Sequence, residues 1–293
     1  MTYICKLFGK SRQAWYDQRQ SNIEEQLTEA LVLKLVEEIR QQLPRVGVIK
    51  LHAMLQDSFK LHGIKMGRDA LYELLGNCGY LLRYRRRKPY TTDSNHRFKK
   101  YPNLIREVML HQADQLWVSD ITYISLQGSK YCYLSIITDA YSRKIVGYCL
   151  HPSLHTDGAI NALEMALQQR SSRRRQLIHH SDRGTQYCSS DYVRLLERHQ
   201  VNISMTEKGD PYENAIAERV NGILKHEFDL HKTFMSITDA EAAVNHAVNQ
   251  YNTIRPHASC DYMTPVTAHT QTGLLKKRWR SAQPRMAAAG FSF

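Results

Sequence analysis

The sequence predicts an α/β protein in which a mixed sheet flanked by helices follows an all-α helix-turn-helix domain. Two observations carry this. Apolar residues recur at helical spacing in the first part of the chain, and near Ala113 the pattern changes to β-branched and aromatic runs. Those runs come first as three consecutive strands and then alternate with helical stretches, the order of a mixed sheet with helices on its faces.

The elements follow in order. Ser11 is suited to cap a short helix after Gly9. Leu27, Leu31, Leu35 and Ile39 give an apolar stripe from Ile23 to Gln42, which Pro44 ends. A second helix is expected from Val46 to Phe59 and a third from about Met66 to Leu75, with Gly76 and Gly79 as stop signals. Three short helices with tight turns and exposed cations suit a helix-turn-helix unit, although a small bundle without DNA contact has the same pattern. Beyond Ala113, strands are expected over 115–124, 131–138 and 144–150, joined by turns at Gly128 and at 139–143. A helix over 156–169, a strand over 177–180, a helix over 190–199, a strand over 201–205 and a helix over 214–228 follow. This is the ribonuclease-H-like order.

Charge bounds the partners. The chain of 293 residues carries a net charge of +12. Residues 1–100 hold 19 Lys/Arg against 10 Asp/Glu, whereas the remaining 193 hold 21 against 18. The excess therefore sits in the first third, where a polyanion is expected to bind. Arg83, Arg85, Arg86, Arg87 and Lys88, with Tyr84 among them, are too dense in charge to pack in a core. They are read as phosphate contacts. No apolar run reaches the ~20 residues that span a bilayer, and the N-terminus has no signal-peptide pattern. A cytoplasmic protein with no membrane partner is expected. The six cysteines form no C-x-x-C pair, so neither zinc nor a disulfide framework is expected.

Three acids stand apart. Asp120 lies mid-strand among Trp117, Val118, Ile121 and Tyr123, where aspartate is disfavoured. Asp182 follows the strand that ends at His180; ligands bind at the carboxyl ends of α/β strands, but a turn cap reads nearly as well there. Glu218 shares a helix face with Asn214, Asn221 and Lys225, and Gly222 beside it offers room for a close approach. Carboxylates converging from separate elements are what a pair of divalent ions needs for phosphodiester chemistry.

The acids are separated by 61 and then 35 residues, and Lys225 comes seven residues after Glu218. With the segments Trp117–Tyr123, His180–Tyr187 and Tyr212–Ala215, and with Tyr251-Asn252 and Arg255-Pro256-His257, this arrangement resembles the integrase core shared by retroviral integrases and insertion-sequence transposases. The orfB-type transposases are the best match, over nearly the whole chain. Two departures are plain: the paired His/Cys spacing of a retroviral zinc module is missing, and Glu218 is followed by Arg219-Val220-Asn221 rather than Ser-Phe-Phe.

The resemblance implies a metal-dependent polynucleotidyl transferase that binds the ends of an insertion sequence, cleaves strands and joins them to target DNA. Asp120, Asp182 and Glu218 are then the catalytic residues and the ligands of Mg²⁺ or Mn²⁺, two ions in all. Glu213 is the rival third acid, but its place at a helix start suits a structural role. Lys208, Asn214, Asn221 and Lys225 become DNA contacts. The loop at Lys208–Pro211 either orders on DNA or stays solvated. Arg255 and His257 either brace the active-site helix or touch DNA, and Lys276–Arg280 either grips DNA or frays. Expected partners are terminal inverted repeats, target DNA, further copies of the chain on DNA and an upstream orfA-type segment. The expected place is the bacterial nucleoid. The implied division is a partial helical segment over 1–20, the helix-turn-helix domain over 21–82, a basic linker over 83–110, the catalytic core over 111–272 and a basic tail over 273–293.

Overall fold

The computed structural model describes residues 11–82, 98–106, 108–170, 176–207 and 214–278. Arg83, Arg85, Arg86, Arg87, Lys88, Lys208 and Glu213 lie outside the described residues. The chain divides into two compact units, one of residues Met1–Thr91 with Ile223–Asp229, the other of Thr92–Gly222 with Leu230–Phe293.

Among the described residues, the N-terminal part of the first unit forms α1 (Arg12–Gln42), α2 (Val48–Leu61) and α3 (Arg68–Asn77). Ser11 caps α1 as expected, its Oγ accepting the Ala14 N–H at 3.0 Å. The helix is not short, however. With no glycine or proline between Arg12 and Gln42, it runs on without a break to the residues before Pro44. The buried stripe also differs from expectation. Val32 and Val36 are fully buried, whereas Leu27 is 66% exposed. Leu51, Leu55 and Phe59 of α2 and Leu71 and Leu75 of α3 are buried as well. Both α2 and α3 end on a glycine with positive φ, Gly63 and Gly79, and the next N–H closes back onto the carbonyls of Phe59 and Leu75.

The second unit is built on a six-stranded sheet. Its strands are β1 (Leu116–Leu126), β2 (Lys130–Asp139), β3 (Ile145–His151), β4 (Leu177–Ser181), β5 (Val201–Met205) and β6 (Thr233–Phe234). The order is β3-β2-β1-β4-β5, and β6 pairs with the far end of β1. β1, β2 and β3 form the expected antiparallel meander, and β4 and β5 run parallel to β1. This mixed sheet is ribonuclease-H-like, and β1 lies at its centre.

Helices cover both faces. On one, α4 (Thr156–Gln169) and α5 (Ser190–Arg198) bury Ala159, Leu163, Ala166, Tyr192 and Leu196 against Trp117, Ile137, Val146 and Leu177. Gly147 makes the approach of α4 possible: a Cβ there would stand 2.1 Å from the Ala162 carbonyl oxygen. On the other face, Leu116, Val118 and Ile178 meet Ala217 of α6 (Ala215–Glu227). Two helices complete the unit, α7 (Ile237–Thr253), held at its start by a Ser236–Asp239 capping box, and α8 (Pro265–His269). Among the described residues no helix is long and apolar enough to cross a membrane.

Candidate active site

Alternation along β1 sets up the site. Trp117 and Ser119 point to the α4/α5 face, and Val118 and Asp120 to the α6 face. Ile178 of β4 shares the second face, and Asp182 follows the end of that strand. Glu218 lies in the first turn of α6. The three acids therefore come from a central strand, the carboxyl end of its parallel neighbour and the helix over that face.

Each acid has its own setting. The Asp120 carboxylate accepts the Ile121 N–H through Oδ1 at 2.9 Å and Asn221 Nδ2 through Oδ2 at 2.7 Å. Burial, with the negative charge of Asp182, pushes its pKa up to about 7 despite those two bonds, and Glu218 adds to the rise. Asp182 folds back onto its own loop, where its Oδ1 accepts the Gly184 N–H at 2.9 Å. Gly184 is suited to this, because a Cβ there would meet that oxygen at 3.0 Å. Glu218 is exposed, and its pKa is raised by partial burial and then by Asp182. The acids thus feel one another's charge.

Oxygen donors of this kind, mutually repelling and backed by neutral hydrogen-bond donors, suit a hard divalent cation. Among the described residues, no three His, Cys, Asp or Glu side chains are gathered closely enough to hold a metal as they stand.

Other expected contacts have different surroundings. Asn214 and Asn221 are 5% and 6% exposed. Asn214 Nδ2 donates to the Ser119 carbonyl at 3.1 Å, so both amide nitrogens are engaged with β1. Lys225 is half-buried in the last turn of α6. An added Cβ at Gly222 meets nothing within 4 Å, so no part of the described chain uses that glycine for a close approach. Arg255 and His257 are buried, the guanidinium donating to His257 Nε2 at 2.8 Å and lying over the Tyr251 ring. Tyr251 in turn donates its hydroxyl to the Arg143 carbonyl, which makes this group a brace beneath the β2–β3 turn. Of the C-terminal basic cluster, Arg278 pairs with Asp261 and its N–H reaches the Ala258 carbonyl; Trp279 and Arg280 lie outside the described residues.

Behind the acids lies a network that sequence reasoning missed. His179 Nε2 stands 2.6 Å from Ser119 Oγ and 2.9 Å from the Tyr192 hydroxyl. Complete burial pushes the His179 pKa down to about 3, so the ring is neutral. The Tyr187 ring packs against both His179 and Tyr192. The residues come from β1, β4, α5 and the loop before α5, and no local spacing links them.

Known proteins are similar to this chain in sequence. Two integrase core domain families match residues 111–211 and 199–265. An insertion element IS600 31 kDa protein of Shigella sonnei is 34% identical over 267 residues, covering 89% of this chain and 96% of its own. The transposase InsF for insertion sequence IS3A of Escherichia coli K12 is 30% identical over 271 residues, covering 89% and 91%. Among solved structures, a simian T-cell lymphotropic virus intasome overlaps 83% of this chain and 81% of its own with a TM-score of 0.48 at 18% identity. That last likeness is distant. Since similarity to a named transposase runs through both the helical segment and the sheet, the chain belongs to the insertion-sequence transposases of the IS3 type, polynucleotidyl transferases that transpose and integrate DNA through an integrase core.

Proposed function

We propose that Asp120, Asp182 and Glu218 are the catalytic and metal-ligating carboxylates of this transposase. The observation that supports this best is the charge conflict at Asp120, a carboxylate whose pKa is raised by burial and then by its two acidic neighbours and which accepts hydrogen bonds from two neutral donors. A cation resolves that conflict; a purely structural aspartate has no need of it.

Integrase-type cores depend on divalent metal, and we assign Mg²⁺ or Mn²⁺, two ions, to these oxygens. When bound, the metal supplies Lewis acidity and lowers the pKa of the attacking oxygen. Asp120 would hold the ions from β1 and Asp182 from the loop after β4, and Glu218 would complete the set from α6. In the first reaction, water attacks a phosphodiester at the element's end; its oxygen bonds to phosphorus and the 3′-oxygen leaves as a hydroxyl. In the second, that hydroxyl attacks a target phosphodiester and displaces the target's own 3′-oxygen. No serine or tyrosine is a nucleophile, so no covalent protein–DNA intermediate forms.

The DNA that the enzyme acts on comprises the element's terminal inverted repeats and the target. Arg83, Arg85, Arg86, Arg87, Lys88, Lys208 and Lys225 are assigned to its backbone. Residues 1–20 are a helical N-terminal segment, 21–82 the end-binding domain, 83–110 the basic linker, 111–272 the catalytic core and 273–293 a basic tail, and an orfA-type segment is a further partner. Cutting two ends together calls for a multimer on DNA, in the cytoplasm at the nucleoid.

The test is incubation of Asp120→Asn with element ends, some already cleaved, and Mg²⁺ or Mn²⁺. Cleavage and joining are expected to vanish while end binding persists. Joining by the variant would overturn the proposal, and wild-type cleavage without joining would reduce the enzyme to a nuclease.

A further inference from the structure

Asn214, Glu218 and Asn221 lie along one stripe of the helix region above β1. In a DNA contact, the asparagine amides would be open to solvent and to a strand. Here both side chains are buried, and their nitrogens donate to consecutive residues of β1, Asn214 to the Ser119 carbonyl and Asn221 to the Asp120 carboxylate. Glu218 stands between them in the sequence. We infer that Asn221 is a positioning residue for the transposition reaction, holding the Asp120 carboxylate for metal and tying it to the helix that carries Glu218. The inference rests on the reading of Asp120 and Glu218 as metal-ligating acids.

Three features support it. The first is orientation. Asn221 Oδ1 is buried without a hydrogen-bond partner, a costly arrangement. The amide nevertheless keeps its nitrogen on Asp120, because the flipped amide would set oxygen against carboxylate oxygen at 2.7 Å. The second is saturation. Ile121 N–H and Asn221 Nδ2 each take one oxygen of Asp120, which fixes the rotamer and leaves further lone pairs for a metal. The third is charge. A lysine or arginine at this place would neutralise the carboxylate and compete with a cation, whereas a neutral amide orients it and leaves its charge available.

The test uses the full chain with Asn221→Ala and Asn221→Leu, the second filling a similar volume without a donor. Three quantities are measured: Mn²⁺ binding by calorimetry, end-DNA binding without metal by gel shift, and single-turnover strand transfer at saturating DNA. Thermal melting identifies the folded variants, and Asn221→Leu carries the test if Asn221→Ala does not fold. Mn²⁺ affinity and the transfer rate are expected to fall by about 10- to 100-fold in both, with end binding unchanged. Raising Mn²⁺ should restore part of the rate. Weakened end binding with normal Mn²⁺ affinity and normal rate at saturating DNA would make Asn221 a DNA contact and overturn the inference, as would no change in any of the three. Asp120→Asn run in parallel separates the two readings. If it still transfers strands, the assignment of the acids fails; if it is dead while the Asn221 variants bind Mn²⁺ normally, only the positioning role fails.

Discussion

Neighbouring residues of β1 carry two kinds of buried polar group. Ser119 faces α4 and α5, and its hydroxyl belongs to a neutral network with His179 and Tyr192. Asp120 faces α6, and burial, followed by the negative charge of Asp182 and Glu218, pushes its pKa up to about 7. On one face the Ser119 and Tyr192 hydroxyls both pair with His179 Nε2 and no charge is present, although His179 Nδ1 is buried without a partner. On the other the acids oppose each other, and the fold holds them together at a cost. A neutral network is architecture, whereas an unresolved charge points to a missing partner.

The largest expected effect separates the faces by activity. Asp120→Asn should bring strand transfer below detection and yet raise the melting temperature of the metal-free protein at pH 8, since it removes a carboxylate that its neighbours repel. A variant that was inactive and also less stable would mean that Asp120 is architectural too.

Next comes the opposite face. His179→Ala leaves the Ser119 and Tyr192 hydroxyls without their ring partner and opens a cavity, at an expected cost of about 3 kcal/mol in urea unfolding. The surviving folded fraction should transfer strands at close to the normal rate. Tyr192→Phe, which removes one hydroxyl, should cost about 1 kcal/mol in the same measurement.

The smallest effect is the pH dependence of stability without metal, in which the two faces have opposite signs. The folded pKa of Asp120, about 7, lies above its ordinary 3.8, so its contribution is present at low pH and lost as pH rises through about 7. The folded pKa of His179, about 3, lies below 6.5, so its contribution is present above 6.5 and lost as pH falls toward 3. Urea midpoints between pH 5 and 8 in EDTA should show Asp120→Asn flattening the alkaline side, with divalent metal having the same effect on the wild type. His179→Ala should flatten the acidic side.

Much of the fold could be read before any coordinates. The strands of the meander and the alternating elements after it agree closely with their expected limits, because period-2 and period-3.6 patterns are local properties of the chain. Three of these elements were not anticipated: β6, too short at two residues to carry a pattern, α7 and α8. Periodicity also misjudged burial. It marked Leu27 as core, yet Leu27 is exposed and Val32 and Val36 are buried, since a helical wheel gives direction but not what covers it. The stripe of Asn214, Glu218 and Asn221 shows the same limit. One face was expected to be polar and open, but the asparagines are buried and Glu218 is exposed.

By itself, the sequence determined the order of the elements, the family motifs and the acids worth testing, because each is a matter of spacing along the chain. Tertiary structure alone decided what surrounds those acids. Asn221 reaches Asp120 across 101 positions, and His179 reaches Ser119 across 60. Burial, hydrogen bonding and charge repulsion depend on distance in space, and residues so far apart in the chain are brought within bonding distance only when the sheet and α6 pack.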